Sequence, residues 1–292
     1  MKHETINRIS FRQRLSSYRN NPLSFLLLLL VWCAMAATVF ILLFIVFYIL
    51  VNGVPHLTPG LFSPVYTTDN VSALPAIITT LLMVGLSLAI AVPFGIGCAI
   101  FLVEYAKKTN RFIRYVRLTT ETLAGIPSII YGLFGMLFFV IALKWNLSLL
   151  AGGFTLAIMV LPTIMRSTEE ALKATPDAYR EGSFGLGAGR LRTVFRIVLP
   201  SAMPGISAGI ILSVGRIVGE TAALIYTAGT VAKVPENIFA SGRTLSIHMY
   251  LLAGEGIYTD QAYATAVILL GFVLVINFIS SFITRKITKG QD

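Results

Sequence analysis

Residues 181–200 read EGSFGLGAGRLRTVFRIVLP and form a polar, basic island between two long apolar runs. The three alternating glycines within residues 185–189 allow a sharp turn, because glycine adopts positive φ angles without a steric penalty. The residues on either side, 177–184 and 191–198, have helical composition, and Pro200 is expected to end the second helix. The island therefore predicts two short helices joined by a tight turn.

Outside the island, apolar segments of membrane-spanning length dominate the chain. Its 292 residues are 56% hydrophobic and 12% charged, with a mean hydropathy of +0.81, whereas about a quarter of the residues in a soluble domain are charged. A helix needs about 20 apolar residues to cross the hydrocarbon core. We therefore predict an all-α integral membrane protein with six transmembrane helices, at residues 23–51, 74–103, 123–143, 149–165, 202–225 and 264–283.

The basic residues are divided unevenly between the two sides of the predicted membrane. Of the 23 Lys and Arg residues, 19 lie in the segments before span one and after span six (1–22 and 284–292) and in the loops after spans two and four. Lys144, Lys233 and Arg243 lie on the other side. Because cytoplasmic segments are enriched in Lys and Arg, both termini are predicted to be cytoplasmic. We therefore attribute the net charge of +10 to the orientation of the chain in the membrane. The sequence contains no nucleic-acid-binding motif that would explain it instead.

Two connections are long enough to carry structure of their own. Residues 104–121 are predicted to extend span two as a cytoplasmic helix. Within the extracytoplasmic connection 226–263, Ile238-Phe239 and residues 245–252 could form short amphipathic helices that lie at the membrane interface or re-enter it. Glycines and prolines in spans two and three favour close helix packing, with kinked helices that line a pathway as the alternative.

Arg216 and Glu220 are the only charged residues within predicted spans two to six. At i and i+4 of one helix they would share a face and could form an ion pair. A charge at membrane depth costs at least about 2.5–3.5 kcal/mol, so it normally faces the bundle interior or a cavity. A guanidinium presents a planar fork that suits phosphate and other oxyanions. We interpret the two residues as part of a solute pathway, with a structural ion pair as the alternative.

The sequence offers little support for chemistry within the chain itself. The glycines of the island follow no predicted strand and precede no Gly-Lys-Ser/Thr, which excludes a P-loop. No Gly-x-Ser-x-Gly or His-Glu-x-x-His motif occurs. His3, His56 and His248 are isolated from other metal-ligating residues, so no metal site is predicted.

The island resembles the EAA loop of ABC importer permeases, the cytoplasmic segment that docks into a groove on the ATPase. Glu181, Gly187 and Pro200 stand at the spacing of that family, while Gly182 and Ser183 replace its usual two alanines. Further segments are similar to the PstA-type permeases of phosphate importers, over about residues 70–285: FLVEYA at 101–106, GIPSIIYG at 125–132, RSTEE at 166–170 and GRIVGETA at 215–222.

This resemblance implies a type I ABC importer permease fold with cytoplasmic coupling helices. It also implies a subunit that moves inorganic phosphate into the cytoplasm across the bacterial inner membrane. The implied partners are a PstC-like second permease, a PstB-like ATPase dimer and a PstS-like phosphate-binding protein. The chain would be no enzyme and would bind no cofactor, with ATP used by the partner ATPase.

The resemblance further assigns roles to individual residues. The coupling surface would comprise Glu181, Gly182, Ser183, Gly187 and Ala188. The phosphate pathway would comprise Arg216, Glu220 as its switchable partner, and Thr221.

Several functional alternatives remain at this point. A permease for another oxyanion, such as sulfate or molybdate, would share these features. A passive channel, a membrane-embedded enzyme and a purely structural membrane subunit are also compatible with the apolar spans, but they leave the island unexplained.

Overall fold

The computed structural model describes residues 22–106 and 111–289, and every regular element in them is helical. The chain divides into two units, residues 1–52 and 53–292. In the first unit, helix α1 (Pro22–Gly53) covers the predicted span 23–51, and its apolar side chains are exposed around its whole circumference. A helix that is apolar on all sides suits a lipid environment. The predicted basic tail lies outside the described residues, except for Pro22.

The second unit contains the remaining helices. They are α2 (Leu74–Ile100), α3 (Arg111–Ala124), α4 (Ser128–Gly135), α5 (Leu149–Ala174), α6 (Asp177–Gly185), α7 (Arg190–Thr193), α8 (Leu199–Gly219), α9 (Ala222–Thr227), α10 (Leu245–Glu255) and α11 (Thr259–Lys289). Two short 3-10 turns, Val54–His56 and Pro59–Phe62, precede α2. Three π-helical turns prolong or join helices: Phe101–Tyr105 after α2, Met136–Ala142 after α4, and Val194–Val198 between α7 and α8.

The described helices confirm the prediction of an all-α membrane protein. Five of them are long and apolar enough to cross a membrane, or six if one bent pair counts as a single span. The five are Leu23–His56, Leu74–Tyr105, Leu149–Ala174, Arg190–Gly219 and Thr259–Phe282.

The core of the second unit lies among α2, α5, α8 and α9. Met83, Leu156, Ile164, Ile217 and Leu224 are almost fully buried there. Burial of a side chain of this size contributes about 1.5–3 kcal/mol in water, but in lipid the association of helices depends on close packing instead. The fit of these side chains therefore positions the spans.

Only some of the glycines in the spans serve this packing. A Cβ at Gly95 would lie 2.8 Å from Cγ2 of Ile164, and one at Gly209 would collide with the Ser167 side chain. A Cβ at Gly97 would meet no described atom within 4 Å. Close packing thus explains Gly95 and Gly209, which hold α2 and α8 against α5.

The third span is broken, which corrects the prediction of one helix over 123–143. Helices α3 and α4 meet at Gly125–Pro127 with a bend of 104°. Proline disfavours the α conformation in the residue before it, so α3 cannot continue through this point. The Tyr131 hydroxyl donates to the Leu123 carbonyl at 2.7 Å, which satisfies one of the carbonyls that the break leaves free.

Helix α3 is also separate from α2, so the prediction of a helical extension over 104–121 is wrong. Ala106 has an extended backbone (φ −80°, ψ 136°) immediately after the π-helical turn. Residues 107–110, including the predicted topology determinants Lys107 and Lys108, lie outside the described part of the chain.

The fifth span starts earlier and ends earlier than predicted. A continuous helical segment runs from Arg190 to Gly219, so Pro200 does not end the helix. In the π-helical turn before Pro200, the Leu199 N–H donates to the Val194 carbonyl five residues back, and such turns accommodate prolines and kinks. The helix stops at Gly219, because Glu220 adopts an extended backbone.

The predicted helix over 245–252 exists as α10, with its first turn buried and its later residues, such as Tyr250, exposed. Leu245 to His248 and Leu252 are buried in the unit, against α2 and α11. Ile238 and Phe239 are exposed in an irregular turn, which contradicts the prediction of a helix there. Helix α11 begins at Thr259, before the predicted start at residue 264, and α5 continues to Ala174, beyond the predicted end at residue 165.

Candidate functional site

Residues 185–189 are here called the glycine turn. The helix predicted before this turn is confirmed as α6, and the one predicted after it begins as α7 but continues into span five. Gly187 has a φ of +83°. Its N–H donates to the Phe184 carbonyl at 2.9 Å, and the Ala188 N–H donates to the Ser183 carbonyl at 3.1 Å. These bonds close the end of α6 around a left-handed glycine. The hydroxyls of Ser183 and Thr193 are 2.8 Å apart, which joins α6 to α7.

The glycine turn presents an apolar tip. Leu186 is 91% exposed. Further large apolar side chains around it are also exposed: Tyr179, Phe184, Leu191 and Phe195. Beside them is a groove of about 530 Å³, lined in part by Arg192 and Arg196. Exposed apolar patches with a polar rim are typical of protein interaction surfaces.

The residues predicted for ATPase coupling differ in their exposure. Glu181, Gly182 and Gly187 are exposed, Ala188 is partly buried and Ser183 is buried. The first three are therefore available for a contact, whereas the Ser183 side chain supports the turn from within. Their coupling role stays a prediction.

Arg180 connects this helical pair to the membrane spans. Its Nη2 and Nε atoms donate to Oε1 of Glu104 at 2.8 and 3.1 Å. The same guanidinium donates to the carbonyls of Leu172 and Thr175, both at 2.9 Å, and to Asp177 at 3.1 Å. The side chains of Arg180 and Glu104 are only 14% and 9% exposed. One arginine thus ties α6 to the ends of α2 and α5.

This ion pair was not predicted from the sequence. The two residues are 76 positions apart. The position of Glu104 directly after an apolar span could have predicted the pair, because a carboxylate that is buried needs a cation beside it.

A second buried carboxylate, Glu169, anchors α3 to α5. Its Oε1 atom lies 2.8 Å from Nη2 of Arg117 and 2.6 Å from Nζ of Lys173. These side chains line one wall of a cavity of about 630 Å³ between α3, α5 and α8. Arg166, which pairs with Glu170 at 3.1 Å, lines the same cavity.

Arg216 lines a neighbouring cavity of about 480 Å³, which is formed by α5, α8 and α11. Thr163 and Asn277 contribute polar side chains to its lining. A Cβ at Gly215 would meet no atom of the described residues within 4 Å, so space is available beside the guanidinium. The two cavities share Thr163 and Leu212 and are therefore adjacent.

Glu220 does not share a helix face with Arg216, which corrects the predicted i, i+4 arrangement. Because α8 ends at Gly219, Glu220 turns away, and its Oε1 accepts the Ala223 N–H at 3.0 Å. The Glu220 carbonyl accepts the Ser246 hydroxyl at 2.6 Å. Among the described residues, no carboxylate oxygen lies within 4 Å of the Arg216 guanidinium.

Thr221 lies at the same break and is partly buried. Its hydroxyl is 3.5 Å from the Gly219 carbonyl. The three predicted pathway residues therefore sit around one interruption of span five, with Arg216 on the helical side and the other two on the irregular side. Their role in transport stays a prediction.

The chain is similar to known transport proteins over most of its length. Residues 91–291 match the family described as binding-protein-dependent transport system inner membrane component. The chain is 32% identical to the probable ABC transporter permease protein YqgI of Bacillus subtilis over 265 residues, covering 83% of this chain and 88% of that one. It is 35% identical to the phosphate transport system permease protein PstA 1 of Mycobacterium tuberculosis over 219 residues, covering 74% and 71%.

The fold is similar to that of a chain in the crystal structure of a bacterial alginate ABC transporter. The TM-score is 0.68 at 17% identity, with 93% of this chain and 98% of that chain covered. The broken spans and the glycine turn are thus set in the fold of an importer permease. The chain belongs to the inner membrane components of binding-protein-dependent transport systems, the permease subunits of ABC importers.

Proposed function

We propose that the chain is the PstA-type permease subunit of an ABC importer that carries inorganic phosphate into the cytoplasm. The similarity to a phosphate transport system permease supports this cargo. The observation that carries the proposal is Arg216, whose guanidinium has no carboxylate partner among the described residues and lines a cavity beside the break in span five. Such a group provides paired N–H donors for a tetrahedral oxyanion.

The break supplies a means of changing the affinity of Arg216 for the anion. If α8 continued as a helix through Gly219, Glu220 would lie one turn from Arg216 and would compete with the anion for the guanidinium. In the observed geometry Glu220 instead accepts the Ala223 N–H. Arg216, Glu220 and Thr221 would thus alternate between a phosphate-binding arrangement and an internally paired one during alternating access.

The energy would come from a partner. The apolar tip of the glycine turn, with Glu181 and Gly187 exposed beside it, would dock into a PstB-like ATPase dimer. Arg180 would transmit the resulting movement to α2 and α5 through its bonds to Glu104 and to the carbonyls that end α5. ATP would be hydrolysed on that partner, and this chain would bind no cofactor.

The family and the distribution of charge support the remaining parts of the proposal. A PstC-like permease would complete the pathway, and a PstS-like protein would deliver phosphate from outside. With 19 of the 23 Lys and Arg residues on one side of the predicted spans, both termini and the glycine turn would be cytoplasmic.

Phosphate uptake by complemented cells tests the proposal. In cells that lack this chain, the wild type is expected to restore ATP-dependent phosphate uptake. The variants Arg216→Gln and Glu181→Lys are expected to insert at normal levels and fail, whereas Lys233→Gln, which removes an exposed cation elsewhere, is expected to transport normally. Restoration of sulfate or molybdate uptake instead of phosphate uptake would overturn the cargo, and normal uptake by Arg216→Gln would overturn the pathway.

A further inference from the structure

Arg243 is a second cation that has no carboxylate partner in the described part of the chain, and it lies away from the Arg216 cavity and the glycine turn. Arg243 precedes α10 and is only 7% exposed. Its backbone is fixed, because its N–H donates to the Val231 carbonyl at 3.0 Å. Its Nη2 atom is buried without a hydrogen-bond acceptor, and no carboxylate oxygen in the described part of the chain lies within 4 Å of the guanidinium. A buried charge without a counter-charge is strongly unfavourable.

The Tyr66 ring contacts this guanidinium, and the His248 ring contacts Tyr66 in turn. Its Cζ lies 4.4 Å from the centroid of the Tyr66 ring, a cation–π contact that offsets only part of the loss of hydration. The Tyr66 ring in turn meets the His248 ring edge to face, with centroids 6.1 Å apart. His248 is fully buried, and neither of its ring nitrogens has a hydrogen-bond partner within normal geometry.

His248 is neutral at physiological pH. Burial and the positive charge of Arg243 lower its pKa to about 3, against an opposing effect of the Val71 carbonyl. The neutral ring carries one N–H donor. Arg243 and His248 both contact Tyr66, and among the described residues neither the Arg243 Nη2 atom nor the His248 ring nitrogens have a partner within hydrogen-bond geometry.

This cluster is joined directly to the break in span five. The Ser246 hydroxyl, two residues before His248, donates to the Glu220 carbonyl at 2.6 Å. The Leu245 N–H donates to the hydroxyl of Thr80 in α2 at 2.9 Å. By the orientation proposed above, the cluster lies on the extracytoplasmic side of the break, where the cargo would arrive.

We infer that Arg243, His248 and Tyr66 form a second binding site for a tetrahedral oxyanion, which phosphate occupies before it reaches Arg216. The inference rests on the proposed function for the identity of the anion and for the side of the membrane. Phosphate oxygens would accept from the Arg243 guanidinium and from the His248 N–H, and the negative charge would neutralise the buried cation.

Equilibrium binding of radiolabelled phosphate to the assembled importer, without the binding protein, tests the site. The measurement is made in an Arg216→Gln background, so that the remaining binding reports the second site. Addition of Arg243→Gln is expected to weaken that binding roughly tenfold or more, the loss expected for charge-assisted hydrogen bonds. Arg243→Lys, which keeps the charge without the fork, is expected to retain part of it, and Lys233→Gln serves as the matched control.

The outcomes separate this inference from the proposed function. If the wild type transports phosphate but Arg243→Gln and Arg243→Lys bind it as Lys233→Gln does, the second site is refuted and the function stands. If the importer carries a different oxyanion whose binding depends on Arg243, the site stands and the phosphate assignment falls. If Arg243→Gln weakens only docking of the loaded binding protein, a carboxylate of that partner occupies the site and the inference is wrong.

Discussion

Replacement of Arg180 by alanine is expected to destabilise α6 and the glycine turn locally while leaving the membrane spans folded. The guanidinium supplies hydrogen bonds to Glu104 and to two carbonyls at the end of α5. Without it, Glu104 would be a buried carboxylate with no cation, and α6 would lose its connection to α2 and α5.

The size of the effect follows from the burial of the pair. The side chains of Arg180 and Glu104 are 14% and 9% exposed, so removal of one partner belongs to the range of about 3–5 kcal/mol for buried pairs. Asp177 adds little, because its side chain is 87% exposed and exposed pairs contribute about 0–1 kcal/mol. We expect the free energy of local opening to fall by about 3 kcal/mol, which corresponds to roughly a hundredfold loss of amide protection.

Hydrogen exchange of the purified chain in detergent, followed on a peptide covering residues 177–189, measures this opening. Arg166→Ala is the matched control, since Arg166 forms an i, i+4 pair with Glu170 in which both side chains are about two-thirds exposed. That variant is expected to exchange within about threefold of the wild type. Exchange of Arg180→Ala at the rate of this control would refute the reasoning.

A second variant separates the ion pair from packing. Arg180→Met combined with Glu104→Leu removes both charges and leaves apolar side chains of similar length. Because no buried charge remains unpaired, the double variant is expected to be more protected than Arg180→Ala alone.

Three further predictions concern backbone, packing and pH. Gly187→Ala is expected to destabilise the glycine turn by about 1–2 kcal/mol because Gly187 has a φ of +83°. Gly187→Asn is expected to destabilise it less. Thermal unfolding of both variants measures the difference, and equal melting temperatures would contradict this prediction. Gly95→Val is expected to lower the melting temperature because the valine side chain would collide with Ile164. Gly97→Val places its side chain in open space and is expected to leave the melting temperature unchanged. A lower melting temperature for Gly97→Val than for Gly95→Val would show that Gly95 is not required for packing against α5. The pKa of His248, lowered to about 3, makes the unfolded state bind more protons than the folded one between pH 3 and 6.5, so stability is expected to fall with decreasing pH by up to about 1.4 kcal/mol per unit. His248→Gln should flatten that part of the pH profile, and an unchanged profile would show that other groups control it.

The sequence by itself was sufficient for the features that depend on local composition. The free energy of transferring an apolar segment into lipid is a sum over its own side chains, so each of the five long helices overlaps a predicted span, even where its ends differ. The glycine turn was predictable for a similar reason, since a φ of +83° at Gly187 and the helices beside it depend on residues within one turn. The orientation argument likewise needs only the positions of Lys and Arg along the chain.

The interruptions of the spans and the buried charges were decided by tertiary structure. Span five stops at Gly219 because distant groups satisfy the free backbone: the Ser246 hydroxyl, 26 residues further on, donates to the Glu220 carbonyl. In lipid, a helix can be interrupted only where other groups form hydrogen bonds with the freed backbone. The local sequence does not predict where these groups lie. The Arg180–Glu104 pair and the burial of Arg243 have the same origin, because the stability of a buried charge depends on side chains that only the packing of the helices brings together.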